Sequence, residues 1–171
     1  MLTLTSGRIE VFSFREGLLS PIAHDLQLRL ERFEITHDEQ TVEARFWPDS
    51  LIVEGAIEHG RLNENVLSAA QREEILDNVR RKVLRTDIHP EARLRARVMP
   101  GVESRELSGV LDLAGSTQPL TLVVQAREGR LRGEVELRPS DWGIKPYRAL
   151  LGAIRLADRV RVRFDLPDER R

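Results

Sequence analysis

The chain of 171 residues contains no cysteine. That absence excludes disulfides, thiolate nucleophiles and zinc–thiolate centres, and it leaves the redox compartment open. No stretch approaches the roughly twenty apolar residues that a helix needs to cross a bilayer. The opening, Met1-Leu2-Thr3-Leu4-Thr5-Ser6-Gly7, lacks a basic segment followed by an apolar run, so it does not read as a secretory signal. An excess of one charge is missing too: 27 Lys and Arg stand against 28 Asp and Glu, for a formal net charge of −1. A general nucleic-acid binder shows a basic excess, and this chain does not. These absences predict a soluble, cytoplasmic protein with no membrane span and no nucleic-acid partner. Catalytic signatures are absent as well: there is no phosphate loop, no Gly-x-Ser-x-Gly elbow and no dinucleotide fingerprint. His37, His59 and His89 are scattered without second ligands at metal spacing. No enzymatic activity, metal or cofactor is expected.

What the chain does have is alternation. Ala92, Leu94, Ala96 and Val98 are interleaved with Arg93, Arg95 and Arg97. Leu131, Gly133, Val135 and Leu137 are interleaved with Arg130, Arg132, Glu134, Glu136 and Arg138. Val160, Val162 and Phe164 are interleaved with Arg159, Arg161 and Arg163. Period two marks a half-buried strand, whose successive side chains leave on opposite faces of the sheet. The charged face is read as solvated, with arginines and glutamates pairing across neighbouring strands. The apolar face carries Ala92, Ala96, Gly109 and Gly133, which fill a core poorly. A curved sheet around an apolar cavity is the expected outcome.

Strands are read over about 8–14, 24–35, 42–46, 51–57, 91–99, 105–114, 119–127, 130–138 and 158–166. Within the second, Leu26, Leu28 and Leu30 share one parity, and Phe33 and Ile35 take the other. That switch near Glu31-Arg32 predicts a bulge or sharp bend, as barrels use at corners. The period then changes. Ser68-Ala69-Ala70-Gln71 has the form of a capping box, and Ile75, Val79 and Val83 follow at helical spacing. One helix over about 69–84 should pack on the barrel wall or plug one end. The fold class is mainly β: one domain over 1–171, an antiparallel barrel of about eight strands with one inserted helix.

Several segments, in order, resemble the YceI-like family, lipocalin-like antiparallel barrels associated with polyisoprenoid and other amphipathic lipids. They are Arg15-Glu16-Gly17-Leu18, Ala23-His24-Asp25-Leu26, and Lys82-Val83-Leu84 with His89-Pro90 after it. Gly109-Val110-Leu111-Asp112-Leu113-Ala114-Gly115 runs on through Thr117-Gln118-Pro119-Leu120, and Ser140-Asp141-Trp142-Gly143-Ile144-Lys145-Pro146-Tyr147 leads to Gly152–Asp158. Gln118 stands where the family commonly has lysine, and Ala114 where it commonly has histidine. The resemblance implies a lipocalin-like barrel with an apolar tunnel and a lipid or isoprenoid-like small molecule as partner.

The candidate lining residues are Phe12, Phe14, Leu28, Leu30, Phe46, Val53, Leu111 and Leu122, each with ordinary core packing as its alternative. Trp142, in the closing segment, joins them. His24 reads first as a partly buried polar residue beside an Asp25 that ties down backbone amides. Its alternative is a contact to a ligand head group. Lys145, Tyr147 and Arg148, in a loop stiffened by Pro146, suit a phosphate or carboxylate head, or else a plain turn with solvated cations. Ala149–Ile154 is apolar enough for a lid or for packing. The leading expectation is non-enzymatic binding or carriage of a long amphipathic lipid, isoprenoid or fatty. The alternatives are a packed barrel that meets a protein partner and, third, an enzyme using His24. An exposed barrel edge would also suit a homodimer.

Overall fold

The computed structural model describes residues 1–16, 24–99, 101, 104–149 and 154–169. Gly17, Leu18, Ala23 and most of the expected lid, Leu150–Ala153, lie outside the described residues. Among the described residues the chain forms β1 (Leu2–Leu4), β2 (Arg8–Arg15), β3 (Asp25–Leu30), β4 (Phe33–His37), β5 (Thr41–Phe46), β6 (Leu51–Glu58) and β7 (Arg61–Asn63). Helix α1 (Ala69–Asn78) follows, then β8 (Ala92–Met99), β9 (Ser104–Leu113), β10 (Ser116–Arg127), β11 (Arg130–Leu137), β12 (Arg148–Ala149) and β13 (Ile154–Pro167). All pairing is antiparallel, in the order β1-β4-β5-β8-β9-β10-β11-β13-β2-β3-β6-β7, with β12 beside β13. The sheet is mainly β, curled into a half-barrel whose hydrogen-bonded path runs through twelve strands rather than about eight.

The difference in count has a local cause. The run 24–35 breaks into β3 and β4 at Glu31-Arg32, where the parity switch predicts a bend. Its partner breaks opposite, at Trp47–Ser50, into β5 and β6. Two backbone bonds span the corner, Glu31 N–H to Ser50 O at 3.3 Å and Trp47 N–H to Arg32 O at 3.2 Å. The short strands β1, β7 and β12 have two or three residues each, too few to show a period of their own.

The register sorts side chains to the two faces. Gly133↔Phe164↔Ile9↔Leu30↔Leu51 forms one level of the interior, and Val135↔Val162↔Val11↔Leu28↔Val53 the next. At the lower end, near the β4–β5 and β10–β11 turns, Leu4 is 1% exposed and packs among Ile9, Leu30, Phe33 and Leu166. The upper end holds the short turn Pro139–Trp142 and the starts of β3 and β13.

The helix forms where its sequence caps it. Gln71 N–H donates to Ser68 Oγ at 3.2 Å, and Ser68 N–H donates back to Gln71 Oε1 at 2.8 Å. This capping box satisfies two orphan amides at the first turn. After Asn78 the backbone widens into a π-helical turn, Val79–Val83, so the expected 69–84 helix is present in two forms. It packs against β6, whose Leu51–Val53 stretch has no strand on that side. Arg72 Nη1 donates to Val53 O at 3.0 Å and Arg80 Nη2 to Leu51 O at 3.4 Å, so two guanidinium groups stand where a neighbouring strand's amides would.

Candidate ligand-binding interior

Two packed clusters occupy much of the interior. One joins Leu26, Leu28, Leu30, Leu51 and Val53 to Leu67 and Leu76 of the helical segment. The other joins Ala44, Leu94, Leu107, Leu111 and Leu122 to Trp142 and Ile144, which fold in from the upper end. Trp142 is 5% exposed and its Nε1 donates to Leu111 O at 2.9 Å, which seats the indole against β9. A left-handed Gly143 (φ 74°) ends the turn that delivers it.

The third part of the interior is different. Val11 on β2, Val135 and Leu137 on β11, and Val160 and Val162 on β13 point inward but stay half-buried. Val11 and Val162 pack at the edge of the first cluster, and Val135 and Leu137 at the edge of the second. Ser13 shares this strip, opposite Leu26 and Val160, and its Oγ is buried without a hydrogen-bond partner among the described residues. The strip is apolar and half-buried, and it ends at this hydroxyl.

The small residues act otherwise than the sequence suggests. A Cβ at Gly133 would lie 2.4 Å from Phe164 Cζ and 2.6 Å from Val123 O. At Gly109 it would meet Arg95 O and Ala96 Cα at 2.5 Å or less. These glycines admit a ring or a neighbouring strand, and the space they leave is filled. Two open hollows lie elsewhere. One of about 780 Å³ runs along the β6–β7 hairpin beside Glu58, His59, Arg61 and Asn63. The other, about 320 Å³, lies over Arg45, Arg93 and Arg95 on the outer face. Neither is the apolar interior.

Of the lining candidates, Leu28, Leu30, Phe46, Val53, Leu111 and Leu122 have interior parity, and all but Phe46 are fully buried in the two clusters. Phe12 and Phe14 need correction: they lie on the outer face. Phe12 pairs there with Gln27 and Arg161, and arginines cover both rings, with Arg163 4.8 Å from the Phe12 ring centre and Arg159 4.0 Å from that of Phe14. Trp142 is a packing residue of the upper end. His24 is half-buried immediately before β3, and Asp25 Oδ1 accepts from Arg15 N–H at 2.8 Å, tying down a backbone amide at the strand start. Lys145, Tyr147 and Arg148 lie at the same upper end, with Lys145 and Arg148 exposed and Tyr147 half-buried.

A feature no periodicity announces is a buried polar knot on the outer face. Gln27 Nε2 donates to Glu10 Oε2 at 2.8 Å and to Glu54 Oε2 at 2.7 Å, while Arg163 Nε donates to Glu10 Oε1 at 2.9 Å. Glu54 is the extra residue of a β6 bulge, since Leu28 pairs with Val53 and Gln27 with Gly55. The glutamates hold the Arg8 guanidinium above its ordinary range, against the opposing effect of burial. Elsewhere the arginine rows pair across strands as expected, Arg161 with Glu134 at 3.3 Å and Arg95 with Asp112 at 3.1 Å. Among the described residues no group of three or more His, Asp or Glu is placed to hold a metal ion. Likewise no helix is long and apolar enough to cross a membrane.

The model of the YceI-like domain matches residues 24–167. The chain belongs to the YceI-like family. No curated protein matches this YceI-like chain, but solved structures share its fold. BcnA of Burkholderia cenocepacia is 15% identical, with 94% of each chain covered and a TM-score of 0.65. A polyisoprenoid-binding domain from Saccharophagus degradans, implicated in plant cell wall breakdown, is 13% identical, with 95% of this chain and 93% of that one covered and a TM-score of 0.59. The Campylobacter jejuni YCEI protein is 9% identical over 84% of this chain and 85% of its own, at a TM-score of 0.52.

Proposed function

We propose that this YceI-like protein binds and carries a long-chain amphipathic lipid, isoprenoid or fatty, in the cytoplasm and without catalysis. The observation that carries the reading is the half-buried inward strip of Val11, Val135, Leu137, Val160 and Val162. A polyisoprenyl or acyl tail laid on it gains roughly 0.8 kcal/mol per buried methylene, so affinity needs few polar contacts. Ser13, His24, Lys145 and Tyr147 are the groups at the same end that meet the polar head. The polyisoprenoid-binding domain of Saccharophagus degradans, with the same fold, supports the ligand class.

A second reading, a packed barrel serving as an interaction module, draws on the filled glycine positions Gly109 and Gly133. Native mass spectrometry of the purified protein, with extraction and analysis of released lipid, separates the two. A discrete added mass that extracts as one lipid class supports carriage. Val135→Trp, which fills the strip, is then expected to abolish the added mass while the protein stays folded. A bare mass, with no uptake of polyprenols or fatty acids added back, favours the interaction module.

A further inference from the structure

We propose that a lipid tail passes through the wall of this protein by the seam between β10 and β11, a slit closed at rest that carries the upper mouth down the curled sheet. The passage rests on the lipid-binding reading and gives that reading its route. The ladder between the two strands stops early. They pair only at Arg127↔Arg130, Ala126↔Leu131 and Gln125↔Arg132, yet β10 begins at Ser116 and β11 runs on to Leu137. On their other sides both strands stay paired, β10 with β9 from Ser116 to Gln125 and β11 with β13 from Arg130 to Leu137. Continuing the register would set Val123 against Glu134 and Thr121 against Glu136, and neither pair forms.

The sequence builds this gap. Leu113 and Ser116 flank the turn Ala114-Gly115, whose residues both have positive φ, and in such a hairpin bonded and non-bonded pairs alternate outward from the turn. Pro119 then falls in a non-bonded pair with Val110, which aims a nitrogen without a proton at the seam. At the fork, a Cβ on Gly133 would lie 2.6 Å from Val123 O and 2.4 Å from Phe164 Cζ, so the strands still touch there with a ring beside the contact. The bare edge of β6 is served differently, by Arg72 on Val53 O and Arg80 on Leu51 O. Among the described residues no side chain bonds to the backbone of 117–124 or 133–137.

Above the gap, the turn Pro139–Trp142 straps its two sides together. Ser140 N–H donates to Asp158 Oδ1 on β13 at 2.9 Å, and the Ser140 hydroxyl donates to Asp158 Oδ2. Trp142 Nε1 donates to Leu111 O on β9 at 2.9 Å. The seam is therefore pinned at both ends with its ladder missing between them, an arrangement in which local opening costs little. Behind it lie Leu120 and Leu122 on one side, and on the other Val135 and Leu137, two members of the inward strip. Parting the strands exposes that strip from the side, so a long tail is laid in rather than threaded end-on.

The absence of native cysteine allows a direct test. Thr121→Cys with Glu136→Cys puts one thiol on each lip of the seam, on the exposed face. Arg97→Cys with Ser108→Cys does the same across the paired strands β8 and β9. A short bismaleimide closes either pair where oxidation does not, and mass spectrometry verifies the closure. Uptake of a fluorescent polyprenol by the full chain is then timed with each pair open and closed. Closing the seam is expected to slow uptake at least about tenfold, because the crosslink removes local openings that far outnumber global unfolding. Reopening a disulfide by reduction should restore the rate, and the β8–β9 crosslink should leave it unchanged. Trp142→Phe, which keeps a ring but drops the bond to β9, is expected to speed uptake by up to about tenfold, the worth of about one hydrogen bond. In the free protein, the amides of Val123 and Glu134 should exchange hydrogen faster than those of Gln125 and Arg132. Equal uptake with the seam open and closed overturns the passage and leaves the lipid reading standing, with cargo entering elsewhere. Equal slowing by both crosslinks also overturns it, by assigning the effect to general stiffening. If the unmodified chain takes up no polyprenol, the lipid reading falls and the passage falls with it.

Discussion

Arg72 on the helix donates to the carbonyl oxygen of Val53, 19 residues earlier, at 3.0 Å. The same guanidinium reaches the carbonyls of Leu67 and Glu64. One side chain therefore serves an unpaired strand edge and the loop that leads into the helix, which makes the helix part of the wall. Arg72→Ala leaves partly buried carbonyls without a donor and is expected to cost about 2 kcal/mol, as hydrogen bonds to charged groups do. Arg72→Lys should recover only part, since an ammonium is a point donor rather than a fork. Urea unfolding of the three proteins checks this, and a loss below about 0.5 kcal/mol for the alanine variant would mean water serves the edge equally well.

Gly133 is held to glycine by its surroundings. A methyl there meets the Phe164 ring, which can turn, and Val123 O, which belongs to a paired strand and cannot. Gly133→Ala is expected to destabilise by about 1–3 kcal/mol, the usual cost of overpacking. Adding Phe164→Ala should relieve the ring clash but not the carbonyl contact, so the double variant does not return to the parent's stability. Thermal melts of the single and double variants give the coupling.

Ser13 offers a test of what the strip holds. Its buried hydroxyl lacks a partner among the described residues, a state that costs stability unless something completes it. The wild type is expected to bind a polyprenol about tenfold more tightly than a hydrocarbon of equal length, the value of about one hydrogen bond. Ser13→Ala should erase that difference without lowering stability. Equal affinity of the wild type for both ligands would remove Ser13 from the head-group set.

Acid should loosen the molecule through its paired carboxylates. Asp38 Oδ1 accepts from Gln40 N–H at 2.8 Å and Thr41 N–H at 2.7 Å, which holds the carboxyl below the usual range. Arg45 and then Arg93 do the same for Glu91; at Asp165, burial opposes but Arg130 and Arg132 prevail. A depressed folded-state pKa contributes stability that is full above the ordinary carboxylate range, near pH 4, and is lost as pH falls through the folded value. Asp38→Asn keeps an acceptor but cannot titrate. Its melting temperature is expected to fall less than the wild type's between about pH 6 and pH 3.

Much of this architecture is legible in the sequence because it is local. Period two gives the long strands, Ser68 and Gln71 give the helix start, and the parity switch at Glu31-Arg32 gives the corner. The side of β2 is not legible, because Ile9 and Val11 are apolar on one parity and Phe12 and Phe14 on the other. Arginines about 150 residues away along the chain, Arg159 and Arg163, decide that the rings lie outside. Gly109 and Gly133 misdirect for the same reason: a missing side chain signals space, and only the fold says who fills it. The inward strip was half visible, since the alternation of β11 and β13 shows which residues turn inward. That they stay half-buried depends on where Trp142 and Leu76 come to rest.

Leu4, wedged at 1% exposure among Ile9, Leu30, Phe33 and Leu166, has a consequence for traffic. If the protein carries lipid as proposed, a chain laid into the half-barrel from the upper end stops at Leu4 and leaves by the way it entered. Its tail would lead and its head trail at the rim, with the order reversed on departure. Depth would then act as a measuring rod, sorting cargo by length as well as by chemistry.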